Sequence, residues 1–241
     1  MILNQIKIEG ISIAGEETNI RMPKLGIMFD IGKCPEKAVS IPNLLITHGH
    51  VDHIGGIAHY LFARTIKKMT PPHIYAPPSL IPPIKQIVRI FADIHKSDYP
   101  ANYHSMELNE FHNINKKLFI KVIPASHTIP TYCYLLYKTK KDNPFLSFTG
   151  DTTIEILENN PLLYKSGILM IECTFFGDKK QIEKADAYHH IHIDQILERA
   201  KHFKNEYIVL CHKSPRYSKK MIVEELKKKT PAILKNRLLV F

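Results

Sequence analysis

The stretch His48-Gly49-His50-Val51-Asp52-His53 decides the interpretation of this chain, because four metal-binding side chains fall within six residues. It follows the apolar run 43–47, which is typical of a buried strand. Imidazole and carboxylate groups are ligands that suit zinc or manganese. On a tight turn between a strand and a helix, His48 and His50 can face one metal ion while Asp52 and His53 face a second. The alternative, a polar loop that happens to be rich in histidine, requires an unusual density of ligands in a chain with 14 histidines.

Length and composition predict a single globular domain over residues 1–241. The hydrophobic content of 44% and the charged content of 23% are ordinary for such a domain. The sequence has no apolar run long enough to cross a bilayer. Its first residues alternate like a strand instead of forming the apolar core of a signal peptide. We therefore expect a cytoplasmic protein that does not enter the membrane.

The chain carries a formal net charge of +10 and has a pI near 9.3. This excess favours a polyanionic partner, with RNA or DNA as the first candidate. The alternative is general solubility charge, because the lysines are spread along the chain. The four cysteines show no Cys-x-x-Cys spacing, which predicts reduced thiols in a reducing compartment.

Short apolar runs alternate with helical patterns along the chain. The predicted strands cover residues 2–8, 26–29, 43–47, 73–76, 118–123, 132–137, 145–148, 168–171, 207–210 and 237–240. The predicted helices cover residues 53–68, 80–95, 193–203 and 218–229. Many short strands with helices between them predict an α/β fold in which two sheets pack together with helices outside.

Three further ligand candidates, His127, Asp151 and His212, come directly after predicted strands, where loops can converge on one site. A single His or Asp at the end of a strand is more often a cap or a surface residue. Three such residues behind the 48–53 run favour a shared metal centre instead.

The candidate ligands follow one another in the order His48-x-His50-x-Asp52-His53, His127, Asp151 and His212. This order resembles that of the metallo-β-lactamase superfamily, and more narrowly that of its ribonuclease Z branch, which trims the 3′ trailer from precursor tRNA. Within that branch the chain is most similar to the short plant-type members, from about Glu9 to Tyr217. The residues that carry the likeness are Glu9-Gly10-Ile11-Ser12, Phe29-Asp30-Ile31-Gly32-Lys33-Cys34-Pro35, Asp52-His53-Ile54-Gly55-Gly56, Phe148-Thr149-Gly150-Asp151-Thr152-Thr153, Ile171-Glu172-Cys173-Thr174-Phe175 and His212-x-Ser214-x-Arg216-Tyr217. The resemblance implies a four-layer αββα sandwich, and a homodimer is expected on the same ground.

The resemblance also implies two zinc ions, with manganese as the alternative metal. The first ion takes His48, His50 and His127, the second takes Asp52, His53 and His212, and Asp151 bridges them. Such a pair holds a hydroxide between the metals at neutral pH. Asp52 can accept a hydrogen bond from that hydroxide and act as the orienting base.

Cleavage of a phosphodiester also needs a proton for the departing ribose oxygen. By resemblance His190 supplies it, and Glu172 holds that histidine oriented and protonated. The alternative is a solvated cluster of His189, His190 and His192 at the start of a helix. We assign His192 a supporting role and assign His189, which replaces a glycine usual in the family, no role.

Three further residues complete the candidate site. Ser214 and Arg216 follow the last ligand, and Asp30 precedes the first. The hydroxyl of Ser214 and the guanidinium of Arg216 suit phosphate oxygens, although Ser-Pro is also common in turns. Asp30 is expected to orient a ligand histidine without binding metal itself; its alternative is a buried cap of a loop.

The long basic insertion with which ribonuclease Z enzymes grip the tRNA elbow is missing. Plant-type members carry it between the strand after the third histidine and the Thr-Gly-Asp run, where this chain has only residues 138–144, three of them lysines. The leading hypothesis is a two-zinc phosphodiesterase that acts on an RNA 3′ end. The alternatives are a phosphodiesterase for a cyclic nucleotide or another small phosphodiester, another hydrolase of this fold acting on a β-lactam or thioester, and a non-catalytic relative that binds metal or RNA.

Overall fold

The structure, a computed structural model, describes residues 1–115 and 117–241. They form two compact units, residues 1–107 and residues 108–241. Each unit contains one mixed sheet together with helices, which confirms the predicted α/β class. The assignment of the whole chain to a single domain stays a prediction. No helix in the described ranges has the length and apolar character needed to span a bilayer.

The first unit is built on a six-stranded sheet next to a small two-stranded hairpin. In chain order its elements are β1 (Ile2–Leu3), β2 (Ile6–Lys7), β3 (Glu9–Ile13), β4 (Glu17–Met22), β5 (Ile27–Phe29), α1 (Glu36–Val39), β6 (Asn43–Leu45), α2 (Val51–Ile54), α3 (Ile57–Ile66), β7 (His73–Ala76), α4 (Ile81–His95) and β8 (Asn102–Ser105). Strands β3 to β5 are antiparallel and β5 to β8 are parallel, in chain order across the sheet. The ligand run 48–53 follows β6, whose Leu44 and Leu45 are fully buried, so a rigid central strand anchors it.

The second unit holds a seven-stranded sheet in the order β15-β14-β13-β12-β11-β10-β9. Its elements are β9 (Phe111–Asn115), β10 (Leu118–Ala125), β11 (Thr131–Tyr137), β12 (Leu146–Phe148), α5 (Ile156–Asn159), β13 (Ile168–Glu172), α6 (Gln181–Ala187), α7 (Ile193–Glu198), β14 (Tyr207–Cys211), α8 (Lys219–Lys229) and β15 (Leu238–Val240). Strands β12 to β15 are parallel, and β10 runs in the same direction because it is antiparallel to β11, which is antiparallel to β12. The carboxyl ends of β10, β12, β13 and β14 therefore meet at one edge.

Most predicted strands are confirmed to within two residues, but the helix predicted over 193–203 ends at Glu198, and two other predicted elements are wrong in form. Residues 2–8 form the β1–β2 hairpin instead of one strand, because Asn4 and Gln5 take positive φ angles of 47° and 65° and turn the chain. The helix predicted over 53–68 is divided into α2 and α3 at Gly55 and Gly56. A Cβ at Gly56 would lie 2.7 Å from the carbonyl carbon of Lys33, so the backbones meet closely at this break.

Candidate metal centre

The first unit brings the ligand run together at the start of α2. His48 Nε2 lies 3.1 Å from His50 Nδ1, and His53 Nε2 lies 3.7 Å from Asp52 Oδ2. Ligand atoms of a tetrahedral zinc ion lie about 3.3 Å apart, because each is about 2.0–2.1 Å from the ion. His48 and His53 are fully buried and Asp52 nearly so, whereas His50 is half-buried. These spacings and this burial fit metal ligands.

Asp30 and Thr47 hold two of these histidines by their Nδ1 atoms. Asp30 Oδ2 lies 2.8 Å from His53 Nδ1 and accepts the Thr47 hydroxyl proton at 2.8 Å. The Thr47 oxygen lies 2.9 Å from His48 Nδ1, so His48 donates to it. Protons placed on Nδ1 leave the lone pair of each ring on Nε2, the atom a metal needs. The contact predicted between Asp30 and a ligand histidine is therefore present.

Asp30 is fully buried and adopts a left-handed backbone with φ of 55°. Burial raises the pKa of its carboxyl group, while His53 and the hydrogen bonds from Thr47 oppose that rise. The Thr47 amide donates to Asp30 Oδ1 at 2.7 Å, so both carboxyl oxygens accept hydrogen bonds. A buried acid with this many partners has the geometry of a support that orients a neighbouring ligand.

Two glycines place Asp52. The Gly15 amide, on the turn between β3 and β4, donates to Asp52 Oδ2 at 2.7 Å. A Cβ at Gly32 would lie only 2.0 Å from the Asp52 carbonyl oxygen, so only glycine permits α2 to lie this close. The Asp52 carboxylate is thus fixed through its own oxygen and through the backbone behind it.

The second unit brings His127, Asp151 and His212 together at the shared edge of its sheet. Asp151 Oδ2 lies 3.3 Å from His212 Nε2 and 3.8 Å from His127 Nε2. Each histidine again has its Nδ1 occupied: His127 Nδ1 donates to the His189 carbonyl at 3.1 Å, and His212 Nδ1 lies 3.1 Å from Thr174 Oγ1. One carboxylate oxygen between two Nε2 atoms is the arrangement expected of a bridging acid.

Glu172 and His190 form a close pair beside those ligands. Glu172 Oε1 lies 2.7 Å from His190 Nδ1, and one ligand atom each of Asp151, His190 and His212 lies within 4.8 Å of the other two. Glu172 is 1% exposed and ends β13. Its Oε2 accepts the amide proton of Thr174 at 3.1 Å and the Thr174 hydroxyl at 3.0 Å. The same threonine contacts His212, so Glu172 supports two histidines at once.

The other residues of the histidine cluster have separate structural tasks. His192 is fully buried and caps α7, where its Nδ1 accepts the Asp194 amide at 3.2 Å. Burial lowers the pKa of His192, which favours this neutral, accepting form. His189 has φ of 56°, which explains a glycine preference at this position. The alternative of a solvated cluster is therefore wrong for His190 and His192.

Ser214 and Arg216 form a turn after the last ligand. The Ser214 hydroxyl accepts the Arg216 amide at 3.4 Å, and the Ser214 amide donates to the Thr174 carbonyl at 3.1 Å. Ser214 is buried, whereas Arg216 is exposed. Their contact with substrate phosphate stays a prediction.

Sequence reasoning missed Thr47 and Thr174, which hold ligand histidines through hydroxyl groups. Thr47 directly precedes His48, and Thr174 lies two residues after Glu172. Their adjacency to predicted site residues was the available signal, but threonine is common at strand ends and so marks no function by itself.

Comparison with known proteins agrees with this geometry. The family described as a beta-lactamase superfamily domain matches residues 31–213. The tRNase Z TRZ1 of Arabidopsis thaliana is 34% identical over 256 residues, which cover 94% of this chain and 91% of that protein. The chain belongs to the tRNase Z branch of the metallo-β-lactamase superfamily. The chloroplastic tRNase Z TRZ2 of the same organism is 30% identical and covers 97% of this chain and 72% of its own.

The fold is shared with solved members of the branch. The short form of human tRNase Z superposes with a TM-score of 0.70 over 88% of this chain and 93% of its own, at 19% sequence identity. Together with the family match this confirms the predicted metallo-β-lactamase fold. The family match and the tRNase Z relatives confirm the prediction of a hydrolase. The His and Asp clusters described above indicate that the enzyme binds divalent metal.

Proposed function

We propose that this tRNase Z family member is an endoribonuclease that removes the 3′ trailer of precursor tRNA with two zinc ions. The observation that carries the proposal is the Glu172–His190 pair at 2.7 Å, placed beside Asp151 and His212. A histidine held by a buried carboxylate serves a leaving group that must be protonated, and the ribose oxygen of an RNA is such a group. The net charge of +10 supports a polyanionic substrate.

The proposed ligand sets are those that the family resemblance implies. His48, His50 and His127 would hold one ion, Asp52, His53 and His212 the other, and Asp151 both. When bound, the two ions lower the pKa of water at the site and stabilise negative charge on the phosphate. The hydrogen bonds to Nδ1 of His48, His53, His127 and His212 support this assignment, because each sets the tautomer that a metal requires.

The chain's own groups perform the proton transfers. Asp52, held by the Gly15 amide, orients the attacking water and acts as base. His190 donates the proton on Nε2 to the departing 3′ oxygen, while its Nδ1 keeps its own proton and donates a hydrogen bond to Glu172 Oε1. This hydrogen bond to Glu172 fixes the orientation of the ring. Ser214 and Arg216 would bind phosphate oxygens beside this pair.

A cleavage assay tests the proposal. Protein loaded with zinc or manganese is incubated with a 3′-extended precursor tRNA, and the cut is mapped. Cleavage directly after the discriminator base is the expected result. Cleavage at scattered positions, or none while bis(p-nitrophenyl) phosphate is hydrolysed, would reject tRNA processing in favour of a small phosphodiester.

The small phosphodiester is the second candidate function because the connection from β11 to β12 is short. These strands end at Tyr137 and begin at Leu146, which leaves no room for a tRNA-gripping arm at this place. Hydrolysis of a thioester is disfavoured by the Glu172–His190 pair, since a thiolate leaving group needs no such acid. A non-catalytic relative is disfavoured because the chain carries all seven candidate ligands, and undetectable metal content would revive it.

We also propose a homodimer formed through α4. Ile90, Phe91 and Ile94 are 52%, 44% and 66% exposed and lie side by side along this helix, next to the face that buries Ile84 and Val88. A contiguous exposed apolar stripe marks an interaction surface, and a twofold dimer buries it against itself. Light scattering after size exclusion should give twice the chain mass. The variant I90D/I94D should be monomeric, whereas K227D/K228D should not change the mass; a monomeric wild-type protein rejects the dimer.

We propose a cytoplasmic location because of the oxidation state of the cysteines. All four are free, which suits a reducing compartment. Fractionation of cells producing the full-length protein tests this, and recovery from an organelle would contradict it.

A further inference from the structure

A cluster of lysines and aromatic rings lies where β9, β10 and β11 run side by side. We define the lysine–aromatic surface as Lys121, Lys138, Lys140 and Lys141 with the rings of Phe111, Phe119 and Phe145. Phe111 is opposite Lys121 in the β9–β10 register, and Phe119 is opposite Tyr137 in the β10–β11 register. Residues of the neighbouring strands β9 and β10 and of the turn after β11 therefore form one surface within the second unit.

Three of the four lysine ammonium groups of this surface lie over aromatic rings. Lys140 Nζ lies 5.3 Å from the centre of the Phe119 ring and 5.6 Å from that of Phe111. Lys121 Nζ lies 5.6 Å from the Phe111 ring, and Lys138 Nζ lies 5.8 Å from the Phe145 ring. Contacts of this length fall within the range of cation–π attraction.

The charges of this surface are not neutralised by carboxylates. Elsewhere lysines are paired, as in Lys179–Glu198 and Lys229–Asp194. In the part of the chain that the structure describes, no lysine of the lysine–aromatic surface forms such an ion pair. The nearby Asp142 accepts the Thr139 hydroxyl at 2.7 Å. Three of the lysines, 138, 140 and 141, are exposed on a turn between strands.

We propose that the lysine–aromatic surface binds the phosphate backbone of the RNA substrate. The inference rests on the proposed function and adds to it a docking surface outside the metal centre. Several unpaired ammonium groups on one surface match a chain of phosphates, and no base contact is needed. Partly exposed rings beside them can also stack with unpaired bases. The surface thus supplies phosphate contacts with a turn of a few residues instead of a long arm.

Binding of a 3′-extended precursor tRNA to two triple variants tests this proposal. K138A/K140A/K141A removes three charges from the surface. K24A/K165A/K201A removes three charges from exposed lysines elsewhere, so it controls for net charge. Binding is measured by mobility shift over a range of salt concentrations, with His190→Ala present in every protein to keep the RNA uncut.

The surface variant should bind at least about tenfold more weakly at 0.1 M salt. Its slope of log K against log salt should be shallower by roughly 2 to 3, since each lost phosphate contact removes somewhat less than one unit. The control variant should change both far less. Without the His190 substitution, the surface variant should hydrolyse bis(p-nitrophenyl) phosphate like wild type, which shows that it is folded.

Equal weakening of the two triple variants, or none in either, overturns the proposal. If wild type binds precursor tRNA without cutting it, the proposed function fails, but the two triple variants still test whether the lysine–aromatic surface binds RNA. If wild type does not bind the RNA at all, both fail.

Discussion

In the second unit, the Thr174 side chain contacts both Glu172, which holds the proposed acid His190, and His212, a proposed metal ligand. Its hydroxyl contacts Glu172 Oε2 at 3.0 Å and His212 Nδ1 at 3.1 Å. One side chain thus supports both the carboxylate that orients the proposed acid and a proposed metal ligand. Thr47 has the same relation to Asp30 and His48 in the first unit.

Thr174→Val should weaken zinc binding by about 10- to 100-fold, because His212 loses the partner that sets its tautomer. Competition with a chromogenic chelator measures this affinity. Thr174→Ser keeps the hydroxyl and should bind zinc like wild type. Equal zinc affinity in all three proteins would show that the Thr174 hydroxyl has no part in the site.

Gly32→Ala should displace α2, because the new Cβ would lie 2.0 Å from the Asp52 carbonyl oxygen. We expect a loss of about 1–3 kcal/mol in the free energy of unfolding together with reduced zinc content after dialysis. Gly177→Ala is the control: φ there is 92°, and no atom lies within 4 Å of the added Cβ. It should lose stability and keep its metal. A Gly32→Ala protein with normal stability and metal content would contradict the account of this contact.

The sequence predicts the contact between Asp30 and a ligand histidine, because Asp30 ends a strand ahead of the ligand run; a buried cap of a loop was the alternative. It does not predict the carbonyl of His189 as the partner of His127, since a backbone acceptor 62 residues away leaves no trace in side-chain pattern. A hydrogen bond from a side chain to a distant backbone carbonyl can be identified only when the fold is known, because the fold determines the distance between the two groups.

At the scale of elements, the strands bury three of the four thiols. Cys133, Cys173 and Cys211 are at most 2% exposed, and burial raises the pKa of each above its usual value. Cys34 is half-buried, and burial raises its pKa to about 11. Only the thiolate reacts with an alkylating agent.

The native protein should therefore react with iodoacetamide at pH 8 roughly 100-fold more slowly per thiol than a free cysteine. The rate at Cys34 should increase as the pH rises toward 11, and all four thiols should react at once after unfolding in guanidinium chloride. Mass spectrometry of timed samples measures this. Rapid labelling of a native thiol at pH 8 would contradict the burial of that residue.

Apolar elements were predictable from the sequence, and polar ones were not. Strand β7 is found at the predicted residues 73–76, because its apolar run is bounded by prolines. Strand β4 was missed although all six of its residues are buried. Its Thr18 and Asn19 are polar and have partners outside the strand, such as the Asp30 carbonyl that accepts the Asn19 amide, and Arg21 donates to Asn19 within the strand. Burial of paired polar groups has no hydrophobic period to detect.

At the scale of the whole molecule, ligand order carries more information than element pattern. The order His48, His50, Asp52, His53, His127, Asp151 and His212 led to the branch that the comparisons confirm. The two sheets followed from periodicity alone. Substrate size follows neither from ligand order nor from element pattern. It depends on surfaces such as the turn at 138–145, and the residue types of that turn do not identify a ligand by themselves.

The most direct test of the central claim compares two substrates with His190→Ala in the zinc-loaded enzyme. The account predicts that kcat for precursor tRNA falls by roughly 10²- to 10⁴-fold, because the ribose oxygen must leave as an alcohol. Hydrolysis of bis(p-nitrophenyl) phosphate should remain close to wild type, since nitrophenolate leaves without a proton, and the zinc content should be unchanged. Equal losses on both substrates, or loss of zinc in the variant, would contradict the assignment of His190 as the acid of a phosphodiesterase.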